Sequence, residues 1–233
     1  MKRIDFGIIL IIFLDSVFYF ICASLSVLWL QRVQTQIKSF YLPSDIFALG
    51  YEQAQQLVGD VRIFYFMIIL SFVLLLLAII LLASIFKGII WARTTKTKLS
   101  FKLISKFLTL NLIWMGFWFL LAVLIATLVD QIHVKAYFFS MILIALYFTN
   151  NLYTIYMRKQ KLSSIKDALA LSFTKIHLFI LPFLVVFLLF YILSKLANLM
   201  QFKYGPVIGF IVFTFIFALT RYYFSTLAEN LAI

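Results

Sequence analysis

Side chains able to do chemistry are scarce in this chain, which has eight acidic residues and two histidines among 233 residues. General acid–base catalysis needs titratable groups within hydrogen-bond reach of one another, and this supply is thin. Spacing adds little. There is no His-Glu-x-x-His zinc helix, no Gly-x-x-x-x-Gly-Lys phosphate loop, no Gly-x-Gly-x-x-Gly turn and no Gly-x-Ser-x-Gly elbow. Asp130 and His133 share a short polar break, but a metal needs further ligands nearby, so they read as a solvated loop. His177 opens an apolar run and reads as a headgroup-facing side chain. Cys22, the single cysteine, reads as a small buried hydrophobe. The expectation is a protein that is not an enzyme and has no cofactor and no metal site.

Polar residues inside apolar runs say more. Asp15 lies about nine residues into the first run, roughly 14 Å along a helix rising 1.5 Å per residue. A charged aspartate at that depth of a bilayer costs about 2.5–3.5 kcal/mol on insertion scales, so it should face protein or water, or be protonated. Asn111 sits near one end of the third run, Asn150 and Asn151 follow Thr149 in the fourth, and Arg221 lies in the last. In the topology derived below, all five fall in the cytoplasmic half of the membrane. The expectation is a polar cluster of Asp15, Asn111, Asn150, Asn151 and Arg221, with Asp15 paired to Arg221. Two roles remain open for it: interhelical hydrogen bonds and an ion pair that hold the bundle together, or a cavity for a ligand or ion open to the cytoplasm.

The elements that must position these residues follow from composition. The chain is 65% hydrophobic and 12% charged, whereas a soluble domain is about half apolar and a quarter charged. The excess needs a second apolar solvent. A spanning helix needs about 20 apolar residues, and six runs meet or approach that length, at 6–30, 63–86, 107–129, 136–157, 178–196 and 206–223. They do not alternate apolar and polar, which excludes barrel strands. The fold class expected is all-α, a polytopic transmembrane bundle of about six spans forming a single membrane domain over 1–233. The first run follows Lys2 and Arg3 as a signal peptide would, but it is too long and carries Asp15, so it reads as an uncleaved anchor.

Orientation follows from lysine and arginine. With the N-terminus inside, fourteen basic residues face the cytoplasm and six the exterior. The net charge of +12 therefore reads as topology and as attraction to anionic headgroups, not to nucleic acid. Both termini are expected in the cytoplasm of a plasma-membrane protein. Trp29, Trp91, Tyr156, Tyr222 and Tyr223 are expected at the headgroups. The segment 31–60 is the longest exterior loop, with Ser44 as the N-cap of a short helix within it.

Two cytoplasmic segments are basic and amphipathic. TKTKLSFKLISKF puts Leu99, Leu103, Ile104 and Phe107 on one face and Lys98, Lys102 and Lys106 on another, with Lys96 ahead of them. KLSSIKDALALSFTKIH spaces Ile165, Ala168, Leu169, Ser172, Phe173 and Ile176 helically, follows Lys159 and Lys161, and contains Lys166. Ser164 and Asp167 in it resemble a capping box. Both segments are expected as interfacial helices on the cytoplasmic side, their lysines on the headgroups. Lys-Leu-Ser recurs at Lys98 and Lys161, which suggests a repeat of span, amphipathic helix and span over 63–129 and 136–196.

Spans joined by an amphipathic stretch such as SSIKDALALSFTKIHLFILP resemble the six-helix prokaryotic membrane proteins related to YciC. They also resemble the membrane domain attached to some glycerophosphodiester phosphodiesterases. The resemblance covers roughly Ile63 to Tyr223. It implies an all-α membrane fold and assigns no functional residue. The reading favoured is a non-enzymatic protein that binds lipid or a membrane protein partner at the cytoplasmic face. The alternatives are a small solute or ion transporter using the inner-half polar cluster, and a lipid-modifying enzyme. The spans are rarely interrupted by glycine or proline at midplane, whereas broken helices are the usual pointer to a transport site.

Overall fold

A computed structural model of the chain describes residues 6–39, 50–180, 184, 188, 191, 192, 195 and 205–230. Among these residues every regular element is a helix. They are α1 (Phe6–Ser39), α2 (Tyr51–Thr94), α3 (Phe101–Leu128), α4 (Gln131–Lys159), α5 (Ser164–Thr174) and α6 (Gly205–Asn230). Residues 176–180 and 184, 188, 191, 192 and 195 are helical as well. Four helices, α1 to α4, are long and apolar enough to cross a membrane. Many of their apolar side chains stay outside the core: Leu74 and Leu81 on α2, and Leu120 and Leu124 on α3, are exposed. In water such faces would drive aggregation, and in a bilayer they are solvated. Of the six expected runs, 178–196 lies largely outside the described residues and 206–223 falls within α6.

The chain forms two compact units, Met1–Val17 with Ala83–Ile233, and Phe18–Leu82. The smaller unit holds the later part of α1 and the earlier part of α2. Trp29 ties them, its Nε1 donating to Ser71 Oγ at 3.1 Å and its ring lying 5.4 Å from Phe72. The larger unit has an aromatic core. Tyr153 of α4 sets its ring edge against Trp91 of α2 at 5.9 Å and against Phe107 of α3 at 4.8 Å, the T-shaped geometry that aromatic quadrupoles favour. Leu110, Leu152, Ala168 and Phe224 complete the packing. Gly88 allows α2 and α3 to approach closely, since a methyl built there would meet Phe107 Cδ1 at 3.4 Å.

Several expectations are corrected. Trp91 and Tyr156 are fully buried core residues rather than headgroup anchors, because Trp91 packs against Tyr153 and Tyr156 against Phe107. The segment 31–60 is not one loop. α1 runs on to Ser39 and α2 starts at Tyr51, because glutamine, arginine, lysine and alanine are good helix formers even where the sequence turns polar. The proposed N-cap Ser44 lies outside the described residues.

The first basic segment is no separate interfacial helix. α3 begins at Phe101, capped by Ser100, whose Oγ accepts from Leu103 N, and continues unbroken to Leu128. Its buried stripe Leu103, Phe107, Leu110, Asn111 and Trp114 keeps helical spacing straight through the expected junction. The second segment does form a separate helix, α5, packed on α4. The two proposed repeat units therefore differ in their connections. The expected capping box is absent: Ser163 is the N-cap and makes no side-chain cap bond. Asp167 pairs instead with Lys159 at 3.0 Å.

Candidate functional site

A lone carboxylate in an apolar bundle must find cations or lose its charge. Asp15 finds two. Lys87 Nζ on α2 donates to Oδ1 at 2.5 Å, and Arg221 Nη1 on α6 donates to Oδ2 at 2.8 Å. The carboxylate is completely buried and Arg221 nearly so. The Arg221 guanidinium also lies 5.4 Å from the Trp91 ring centre, close enough for cation–π attraction. Its Nε is buried without a hydrogen-bond partner. One negative and two positive charges leave the group with a surplus of one positive charge.

The structure thus brings Asp15 and Arg221 together, and it does not gather the asparagines around them. Asn111 links three helices elsewhere: its Nδ2 donates to Ser84 Oγ at 2.9 Å, and Tyr153 OH donates to its Oδ1 at 2.5 Å. Asn151 joins α4 to α5 through Ser172 Oγ at 2.8 Å, beside the bond from Tyr147 OH to the Ser172 carbonyl at 2.9 Å. Asn150 is half-buried, and its carbonyl accepts from Thr154 within α4. Thr149 accepts from Trp114 Nε1 at 2.8 Å. These are bonds that satisfy buried polar atoms between helices.

Sequence reasoning missed Lys87 as a partner of Asp15, because the second run as read from hydropathy, 63–86, stops just before it. A signal was present, because Gly88, Ile89, Ile90, Trp91 and Ala92 continue the apolar run beyond it. Ser84, Tyr153 and Ser172 carried no such signal, since single hydroxyls in an apolar run are commonplace.

The lysines singled out in the sequence lie at one end of the larger unit. Lys96, in the α2–α3 turn, and Gln160, after α4, both adopt left-handed backbone with φ of 54° and 51°, which reverses the chain in few residues. Thr97 Oγ1 donates to the Met157 carbonyl at 3.4 Å and holds the two turns against each other. Arg158 Nη2 donates to the Ser225 carbonyl at 3.2 Å and adds α6 to this end. Lys96, Lys98, Lys102, Lys106, Lys159, Lys161 and Lys166 are all exposed there. Asp167 is the acidic group among them, bound to Lys159.

Between α3, α4 and α5 lies an open groove of about 610 Å³ with apolar walls, from Trp114 and Trp118 on one side to Phe148 on the other, with Ile165 at its α5 edge. Among the described residues, no group of three or more histidines, cysteines, aspartates or glutamates is placed to hold a metal ion. Asp130 is the N-cap of α4 without a side-chain cap bond, and His177 is exposed. No protein-family model matches the chain, and neither the curated proteins nor the solved structures give a match.

Proposed function

We propose that this is a six-span, non-enzymatic protein of the plasma membrane, with both termini in the cytoplasm, that binds anionic lipid or a protein partner through its basic cytoplasmic face. The observation that carries the reading is the bond from Thr97 to the Met157 carbonyl. It makes one surface of two basic turns that are 60 residues apart in the sequence. Exposed lysines near a membrane surface attract anionic headgroups with about 1 kcal/mol each. The excess of basic residues on that side supports the orientation, and the pattern shared with YciC-like proteins is in keeping with the same architecture.

Transport is the second reading, and two features weigh against it. The groove is apolar, whereas a solute path needs polar lining. The polar residues expected to line such a path, Asp15 and Asn111, are completely buried and bonded to protein side chains.

Native mass spectrometry of the protein, gently extracted with its surrounding membrane, tests the reading. A stoichiometric protein partner or retained acidic lipid is expected, and less of it when Lys96, Lys98, Lys159 and Lys161 are changed to glutamine. Bare protein, or protein carrying only bulk lipid in both forms, would overturn it and put transport first.

A further inference from the structure

Resting on the lipid-binding form of the reading above, we infer that the groove between α3, α4 and α5 holds one acyl chain of an anionic glycerophospholipid, whose phosphate sits at Lys106 and Lys166. Three observations lead there. α3 and α4 are both long and apolar enough to cross a membrane, so what surrounds their outer faces is hydrocarbon. Ile113, Ile144 and Phe173 line the groove and are themselves exposed, so it opens outward. Its volume of about 610 Å³ lies inside the range of roughly 300–1,000 Å³ typical of ligand pockets.

The charged end of the groove selects the occupant. Ile165, Leu169 and Phe173 form one stripe on α5, about 12 Å long at 1.5 Å per residue. Phe173 packs against Phe148 with ring centres 5.3 Å apart. From Phe148 the α4 wall continues to Tyr137, about another 16 Å. Together the walls approach the thickness of the hydrocarbon core, about 30 Å, so a chain from one leaflet occupies the half nearer α5, past Ile165 and Leu169 to about Phe148.

The α5 end carries the charge. Lys166 adjoins Ile165, Lys106 precedes Ile113 by two helical turns on the same face of α3, and both lysines are exposed. A zwitterionic lipid would find the same apolar walls without the same gain from the cations. A chain in this groove touches three helices at once, which separates it from ordinary boundary lipid.

The full chain, reconstituted in phosphatidylcholine vesicles doped with phosphatidylglycerol, provides the test. Trp114 and Trp118 line the groove and report on bromine carried by acyl chains. With brominated phosphatidylglycerol, quenching is expected to saturate at a low mole fraction. With brominated phosphatidylcholine it is expected to rise only in proportion. Lys106→Gln and Lys166→Gln are each expected to raise the half-saturating fraction about fivefold, from about 1 kcal/mol per lysine. Ile113→Phe, which narrows the groove from an exposed position on α3 two turns from Lys106, is expected to reduce the saturable part and leave the fold intact.

Quenching proportional to mole fraction for both lipids would overturn the proposal. So would tryptophans shielded from both lipids, since protein, a second copy included, would then cover the groove. The quadruple change of Lys96, Lys98, Lys159 and Lys161 to glutamine separates the two readings. Saturable quenching should survive in it, whatever becomes of lipid or partner retention at the wider basic face.

Discussion

Asp15 holds two cations, and the asymmetry of that arrangement can be measured. Asp15→Asn leaves the partly buried Lys87 and the buried Arg221 beside each other with no carboxylate between them. Breaking a buried ionic group in this way costs about 3–5 kcal/mol. Lys87→Met removes one cation and leaves a balanced pair. The aspartate change is therefore expected to lower the thermal unfolding temperature in detergent by more than the lysine change. Equal losses would show that the three charges do not act as a unit. Tyr153→Phe is a milder case: it strips the Asn111 Oδ1 of its donor, and a buried polar atom left unsatisfied costs about 1–3 kcal/mol. Pairing it with Asn111→Leu in a double-mutant cycle should give a coupling well away from zero. At this scale the sequence revealed what is energetically conspicuous, a carboxylate and a guanidinium in apolar runs. It did not reveal which lysine would join them, because a run that seems to end at Phe86 in fact continues through Trp91.

Helices were legible wherever about 20 apolar residues stand together, because only a helix satisfies its own backbone in hydrocarbon. Their ends were less so. A polar stretch such as Gln31 to Ser39 can be a loop or the continuation of a helix, and hydropathy does not separate the two; here it continues. The start of α3 shows the converse. Lysines at four-residue spacing suggested a helix lying on the membrane surface, but a buried stripe common to both parts makes one rod from Phe101 to Leu128. That rod depends on its cap. Ser100→Ala removes the acceptor for Leu103 N, a loss of about 1 kcal/mol. Faster amide exchange is expected in the first turn of α3, with little change beyond Phe107. Between α2 and α3 the close approach at Gly88 has room for one methyl. Gly88→Ala should therefore be tolerated, or should stabilise by up to about 1 kcal/mol through reduced backbone freedom. Gly88→Leu should force the helices apart and lower the unfolding temperature sharply.

For the whole molecule, the strongest expectation concerns sidedness. With the orientation proposed from fourteen basic residues against six, a green fluorescent protein fused to the C-terminus should fluoresce and a fused periplasmic phosphatase should stay inactive. The opposite pattern would also reverse the assignment of the basic face. α2 bears on this scale too. Its 44 residues have a contour length of about 66 Å at 1.5 Å per residue, against a bilayer of about 40–45 Å with headgroups included. No ordinary tilt hides that excess, since spanning helices lean by about 0–40°. The excess is polar: ahead of the apolar run 63–86, about 36 Å long, stand Glu52, Asp60 and Arg62. The unfolding temperature should consequently depend on membrane thickness, falling in short-chain lipid too thin to cover that apolar stretch, while the polar excess of α2 adds nothing to the match.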